Sequence, residues 1–172
     1  MELLVAFGAL IIAAVTLYVQ RVHNRHQMLP LLHISRDQTT KNGRVRITLS
    51  VINDGQGVAI LKSMVFRVQD TDYEIKHNQE LSDILETYLP KGATNQEVRY
   101  FHFIRANSRS LIISFEIPSD CEDPFSNSLL TIETESLYRD RVTVDNWGMN
   151  TTSNYADSVI EKFLSYFLPK TR

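Results

Sequence analysis

The chain has 172 residues, a formal net charge of −2 and one cysteine. With no basic excess and no long basic stretch, the composition argues against nucleic-acid binding as the main role. A single thiol excludes an internal disulfide and a cysteine-rich zinc site.

The first element is ELLVAFGALIIAAVTLYVQRVHNR, which starts at Glu2. No charged residue stands between Leu3 and Val19. As a helix this run rises about 26 Å, short of a hydrocarbon core of about 30 Å but inside the usual range of about 17–25 residues for a span. Tyr18 sits where an amphipathic ring suits the headgroup level, and Gln20 and Arg21 end the run. The reading is a transmembrane anchor over residues 1–20 and a juxtamembrane linker over 21–28. A removable signal peptide needs a basic leader and a small-residue cleavage site. Met1-Glu2 supplies no basic residue, and Leu17-Tyr18-Val19 offers no such site. Arg21, Arg25 and Arg36 follow the span, so the positive-inside bias puts the N-terminus outside and everything after Arg21 in the cytoplasm of a plasma (inner) membrane. The lone Cys121 agrees with a reducing compartment. Glu2, Ala6, Ala9, Ala13, Thr16 and Gln20 recur at spacings of 4, 3, 4, 3, 4. That stripe is a candidate packing seam, for homo-oligomerisation or for a partner's helix. The plainer account is that alanine is common in any span.

From residue 29 the dominant period is two. RVRITLSVIN alternates Val45, Ile47, Leu49 and Val51 with polar residues, the pattern of a half-buried strand. LLHIS before it, and VAILKSMVFRV, YEIK, EVRYFHFI, SLIISFEI, SLLTIETE and DRVTVD after it, give about seven or eight short strands. Turn chemistry separates several of them, as in TKNGR, NDGQG, QDTD and PKGA. The pattern predicts an immunoglobulin-like β-sandwich over residues 29–172. Two helices interrupt it. NQELSDILETYLP places Leu81, Ile84, Leu85, Tyr88 and Leu89 on one face, expected to lie across one end of the sandwich. YADSVIEKFLSYFLP predicts an amphipathic helix over 154–168, capped by Asn154. Phe163 and Phe167 on that helix, with Trp147 and Tyr155 nearby, form a candidate interaction surface. Packing within the domain accounts for them equally well.

No phosphate-binding loop, dinucleotide fingerprint, nucleophile elbow or zinc-protease motif is present. The glycines of NDGQG therefore read as a strand turn. Asn53 and Asp54 can bond local backbone groups, and Gly55 and Gly57 allow positive φ or a bulge. His33, His77 and His102 are scattered. Two acidic clusters, at Asp70, Asp72, Glu74 and at Asp120, Glu122, Asp123, read as solvated turns before they read as calcium loops. The expectation is a chain with no catalytic residues, no metal and no cofactor.

VINDGQGVAI resembles the N-x-G-x-G-x-A segment of small single-pass bacterial membrane proteins whose β-domains have no assigned function. ETESLYRDRVTV resembles the paired strands near the end of such domains, with Arg139 and Asp140 where a glycine is usual. The resemblance spans roughly residues 29–146 and implies an anchor and a fold, not a reaction. ELLVAFGALIIAA also resembles the hydrophobic helix of type IV pilins and pseudopilins. Here only Met1 precedes the glutamate, and Pro30 should break the helix early. The reading is a non-enzymatic single-pass membrane protein whose sandwich meets a protein partner at the bilayer, as an accessory subunit or adaptor. The alternatives are a ligand-sensing effector that assembles through its membrane helix, or a pilin-like envelope component.

Overall fold

The computed structural model describes residues 2–146 and 148–152. The chain opens with helix α1 (Glu2–Gln27) and continues as β1 (Leu32–Lys41), β2 (Arg44–Asn53), β3 (Ala59–Val68) and β4 (Thr71–Glu74). Helix α2 (Asn78–Tyr88) follows, then β5 (Thr94–Val98), β6 (Phe103–Ile104), β7 (Ser108–Pro118), β8 (Leu129–Glu135), β9 (Arg141–Asp145) and β10 (Gly148–Thr152).

The strands form the two antiparallel sheets of a mainly β sandwich. One has the order β1-β2-β7-β5 and the other β10-β9-β8-β3-β4, with β6 also on β3. Among the described residues, ten strands stand where about seven or eight were expected. Part of the difference is EVRYFHFI. Alternation reads it as one strand, but β5 pairs with β7 in the first sheet and β6 with β3 in the second. The chain changes sheets between them, and Ile104 is buried while Phe103 stays half exposed. The other addition is β10, whose glycine, asparagine and threonines carry no apolar alternation.

Alternate residues of each strand point inward. Val45, Ile47 and Val51 of β2 face Met64, Phe66 and Val68 of β3 across a core completed by Ile112, Phe115, Ile117, Leu130, Ile132, Val142 and Val144, all buried. Phe125 stacks on Phe66 with centroids 5.6 Å apart and meets Phe115 edge-on at 5.5 Å. The β1–β2 connection turns on Asn42 (φ 52) and Gly43 (φ 71), the two positive-φ positions of a tight hairpin.

Helix α2 buries Leu81, Ile84 and Leu85, and Glu80 accepts a hydrogen bond from the His77 N–H at 2.8 Å at its start. It was expected across one end of the sandwich. Instead it runs from the edge strand β4 of one sheet to the edge strand β5 of the other, packs on β5, and ties to β4 through the Tyr88 and Tyr73 hydroxyls, 2.7 Å apart. It therefore closes an open side, shielding two edges that would otherwise invite pairing.

Helix α1 does not stop at Gln20. It continues through the segment read as a linker and ends at Gln27. Pro30 disfavours helical backbone at the residue before it, which agrees with an end just short of there. Residues Val5–Gln27 are long and apolar enough to cross a membrane, and the apolar window of this helix is 0% buried against the rest of the chain.

Candidate functional site

Strand directions place four segments at the end of the sandwich where α1 arrives. They are the start of β1, the β2–β3 loop (54–58), the β6–β7 loop (105–107) and the β8–β9 turn (136–140). The joint between helix and sandwich is built from these.

Asn53, fully buried, is its centre. The side-chain oxygen accepts from the Leu31 N–H at 3.1 Å and the Gly55 N–H at 3.0 Å. The side-chain amide donates to the Gly57 carbonyl at 2.7 Å and the Arg105 carbonyl at 3.1 Å. Donors and acceptor are thus all used, and three separate segments are held by one side chain. The Asp54 N–H adds a bond to the Leu31 carbonyl at 2.9 Å, and the Asn107 N–H one to the Gly55 carbonyl at 3.3 Å.

The two glycines let the exit of α1 lie directly on the loop. A Cβ on Gly55 would stand 2.5 Å from the Leu29 oxygen and the Leu31 nitrogen. One on Gly57 would overlap the Met28 carbonyl. Neither glycine is among those with positive φ. Close backbone approach, not turn conformation, is what requires them here.

A salt bridge closes the joint from the other side. Arg25, in the last turn of α1, donates from Nε to Asp140 Oδ2 at 2.9 Å, and a second guanidinium nitrogen reaches Oδ1. The side chains are 11% and 2% exposed. Asp140 is in turn fixed by Ser136, whose hydroxyl accepts from the Tyr138 and Asp140 N–H groups, each at 3.1 Å. Arg139 takes φ 64, the left-handed conformation that a glycine would adopt more easily in this turn.

No family model matches the chain, and no curated protein matches it. Among solved structures, the chain is similar to the archaellum periplasmic stator protein FlaG from Sulfolobus acidocaldarius, at 14% identity and a TM-score of 0.30, over 71% of this chain and 100% of that one.

The other sequence-derived candidates fall elsewhere. Glu2, Ala6, Ala9, Ala13, Thr16 and Gln20 all lie on α1, where their spacing keeps them on one face. The Thr16 hydroxyl donates to the Ile12 carbonyl of its own helix at 2.8 Å. Trp147, Tyr155, Phe163, Phe167 and the predicted helix 154–168 lie outside the described residues. His33 faces Asp54 at 3.3 Å on the surface, with side chains 51% and 66% exposed. His77 and His102 each meet the ring of Tyr100 edge-on, at 6.4 and 5.3 Å. Among the described residues, no group of three or more His, Cys, Asp or Glu could hold a metal ion. In the acidic clusters, Asp72 pairs with Arg67, Glu74 with Lys76 and Asp123 with Arg36.

A cavity of about 190 Å³ opens between the sheets, lined by Ile34, Ile47, Phe66, Phe115 and Phe125, with Arg36 among its walls. The Arg36 guanidinium donates to the Phe125 carbonyl at 2.9 Å and pairs with Asp123, so both of its terminal nitrogens are engaged. At the far end, Glu116 is held below the usual carboxylate range, first by the Asn95 amide and then by Arg46.

The sequence signalled the β2–β3 loop but not its task. The Arg25–Asp140 bridge left no signal at all. Its partners are 115 residues apart, and an aspartate between two arginines reads as an ordinary solvated turn.

Proposed function

We propose that this chain is a non-enzymatic single-pass membrane protein whose sandwich is presented to a protein partner at a fixed height and angle above the bilayer. The observation that carries the reading is the joint. A helix with its apolar window unburied is locked to the sandwich by Arg25–Asp140, by Asn53 and by the Gly55–Gly57 contact. A helix that serves only as a tether needs none of this, and a flexible linker would suffice. Apolar residues so exposed on every side call for a bilayer or another helix.

The N-terminus is placed outside and the sandwich in the cytoplasm. The basic residues after the span bias the nascent chain that way, before Arg25 is committed to Asp140. The stripe from Glu2 to Gln20 is the proposed contact for a second copy or a partner's helix. Because the Thr16 hydroxyl is already bonded within its helix, close packing at Ala9 and Ala13 would carry that contact. The non-enzymatic reading is supported by the exposed, dispersed histidines and by a cavity whose lining is mainly apolar. That cavity also favours a second reading, small-ligand sensing, which a ligand-dependent rise in Tm would support.

Labelling of Cys121 tests the reading. In cells expressing the full chain, an impermeant maleimide should leave Cys121 unmodified until lysis, with a denatured sample controlling for its partial burial. Labelling of intact spheroplasts would put the sandwich on the opposite side. Release of the chain from membranes by alkaline carbonate would remove the anchor altogether.

A further inference from the structure

The end of the sandwich at which α1 arrives carries apolar groups that the fold leaves uncovered. Leu137 and Tyr138, at the tip of the β8–β9 turn, are 64% and 36% exposed. Ile60 and Phe103 pair across β3 and β6 on the outer face of the second sheet, at 37% and 50%. Ile60 also pairs with Glu135, the last residue before the β8–β9 turn, so both groups belong to one end of one sheet. Three acids of this end are engaged: Asp54 with His33, Glu135 with Lys62 and Asp140 with Arg25. Arg105, Arg139 and Arg141 are exposed beside them, with the Arg105 guanidinium 6.0 Å from the Phe103 ring centroid.

The salt bridge fixes how far this end can be from the bilayer. Arg25 is six residues beyond Val19, the last residue of the apolar run. At about 1.5 Å per residue this is about 9 Å along the helix. The headgroup layer on each side of the hydrocarbon is about 5–8 Å thick. Asp140, bonded to Arg25, therefore stands at the outer edge of that layer. The tip residues Leu137 and Tyr138 lie three and two positions earlier, in a turn that closes the same end.

We infer that the tip of the β8–β9 turn, with the neighbouring Ile60–Phe103 edge, rests in the headgroup layer of the membrane that α1 crosses, making a second contact between this protein and lipid. Leu137 supplies the apolar group, Tyr138 an amphipathic ring suited to that depth, and the three arginines attraction to anionic headgroups. The inference rests on the membrane anchor proposed above. With two points of contact, the sandwich is held at one angle to the bilayer instead of turning about α1.

The test uses the full chain with Cys121→Ser, reconstituted in vesicles of phosphatidylcholine and phosphatidylglycerol. Single cysteines carry an environment-sensitive fluorophore at three sites: Leu137→Cys at the tip, Ala13→Cys within the helix and Asn42→Cys at the opposite end of the sandwich. Nitroxide lipids with the quencher near the headgroup should quench position 137 roughly two-fold more than position 42, with a blue-shifted emission. Deep nitroxides should quench position 13. Emission and quenching at 137 equal to those at 42, with 13 still quenched, would overturn the contact and leave the anchor standing. Failure of quenching at 13 would overturn the anchor and this inference with it. Leu137→Glu with Tyr138→Glu, both exposed positions, should leave Tm unchanged and abolish the blue shift of a probe at Phe103→Cys. A probe at 103 that stays blue-shifted in that variant would contradict a shared footprint.

Discussion

At the scale of single residues, Asn53 and Gly57 carry the most structure per atom. Asn53→Ala strands the buried Gly55 N–H and the part-buried Leu31 N–H, the former a loss of about 1–3 kcal/mol and the latter less. Denaturant unfolding of the full chain in detergent should show a total loss of roughly 3 kcal/mol. Gly57→Ala forces the Met28 carbonyl away and should cost a similar amount, whereas Gly8→Ala, with nothing within 4 Å, should be neutral or slightly stabilising. Arg25→Gln leaves the Asp140 carboxylate buried without its cation, on the order of 3 kcal/mol. A double-mutant cycle with Asp140→Asn should return much of that, since the amide carries no charge. A cycle with no coupling would mean the bridge is not formed in solution. Acidification has its own sign. Glu116 and Glu80 are both held below the usual carboxylate range, by Asn95 and Arg46 and by the Lys76 and His77 N–H groups. A lowered folded-state pKa adds stability that is complete above the unfolded value and is lost as pH falls through the folded one. Tm should therefore hold near neutrality and fall below about pH 4, and Glu116→Gln should flatten part of that fall.

At the scale of elements, the readable parts of the sequence were those with one regular environment. RVRITLSVIN alternates because β2 has one face on the core, and NGR marks its hairpin because Asn42 and Gly43 need positive φ. The face of α2 was legible for the same reason, through Leu81, Ile84 and Leu85. Its position was not, because only the separation of β4 and β5 onto different sheets decides that it closes a side. EVRYFHFI misled for a related reason: alternation reports burial, not which sheet supplies it. The NDGQG loop announced a strand turn but not the close backbone approach at its glycines, since the Met28–Leu31 segment that crosses it is remote in sequence. On α1, Ala9→Leu with Ala13→Leu should weaken association of the chain by roughly 1–2 kcal/mol if bulk at the stripe blocks helix contact. Sedimentation in detergent measures it, and unchanged association would remove the stripe from the account.

At the scale of the whole molecule, the proposed function requires the helix and the sandwich to move as one body. A helix continuous to Gln27, a salt bridge from its last turn and a backbone cradle at its exit are the contacts that would hold them together. Whatever meets the sandwich would then be registered against the membrane, and a force or rotation on one part would reach the other. The most direct test is a distance distribution between spin labels at Asn24→Cys on α1 and Ser126→Cys at the far end of the sandwich, in a Cys121→Ser background. We expect one narrow peak in the otherwise unaltered chain, and broadening when Gly57→Ala or Arg25→Gln is added. A broad distribution before either change would contradict the joint, and with it the proposal that this protein holds its domain at a fixed attitude to the bilayer.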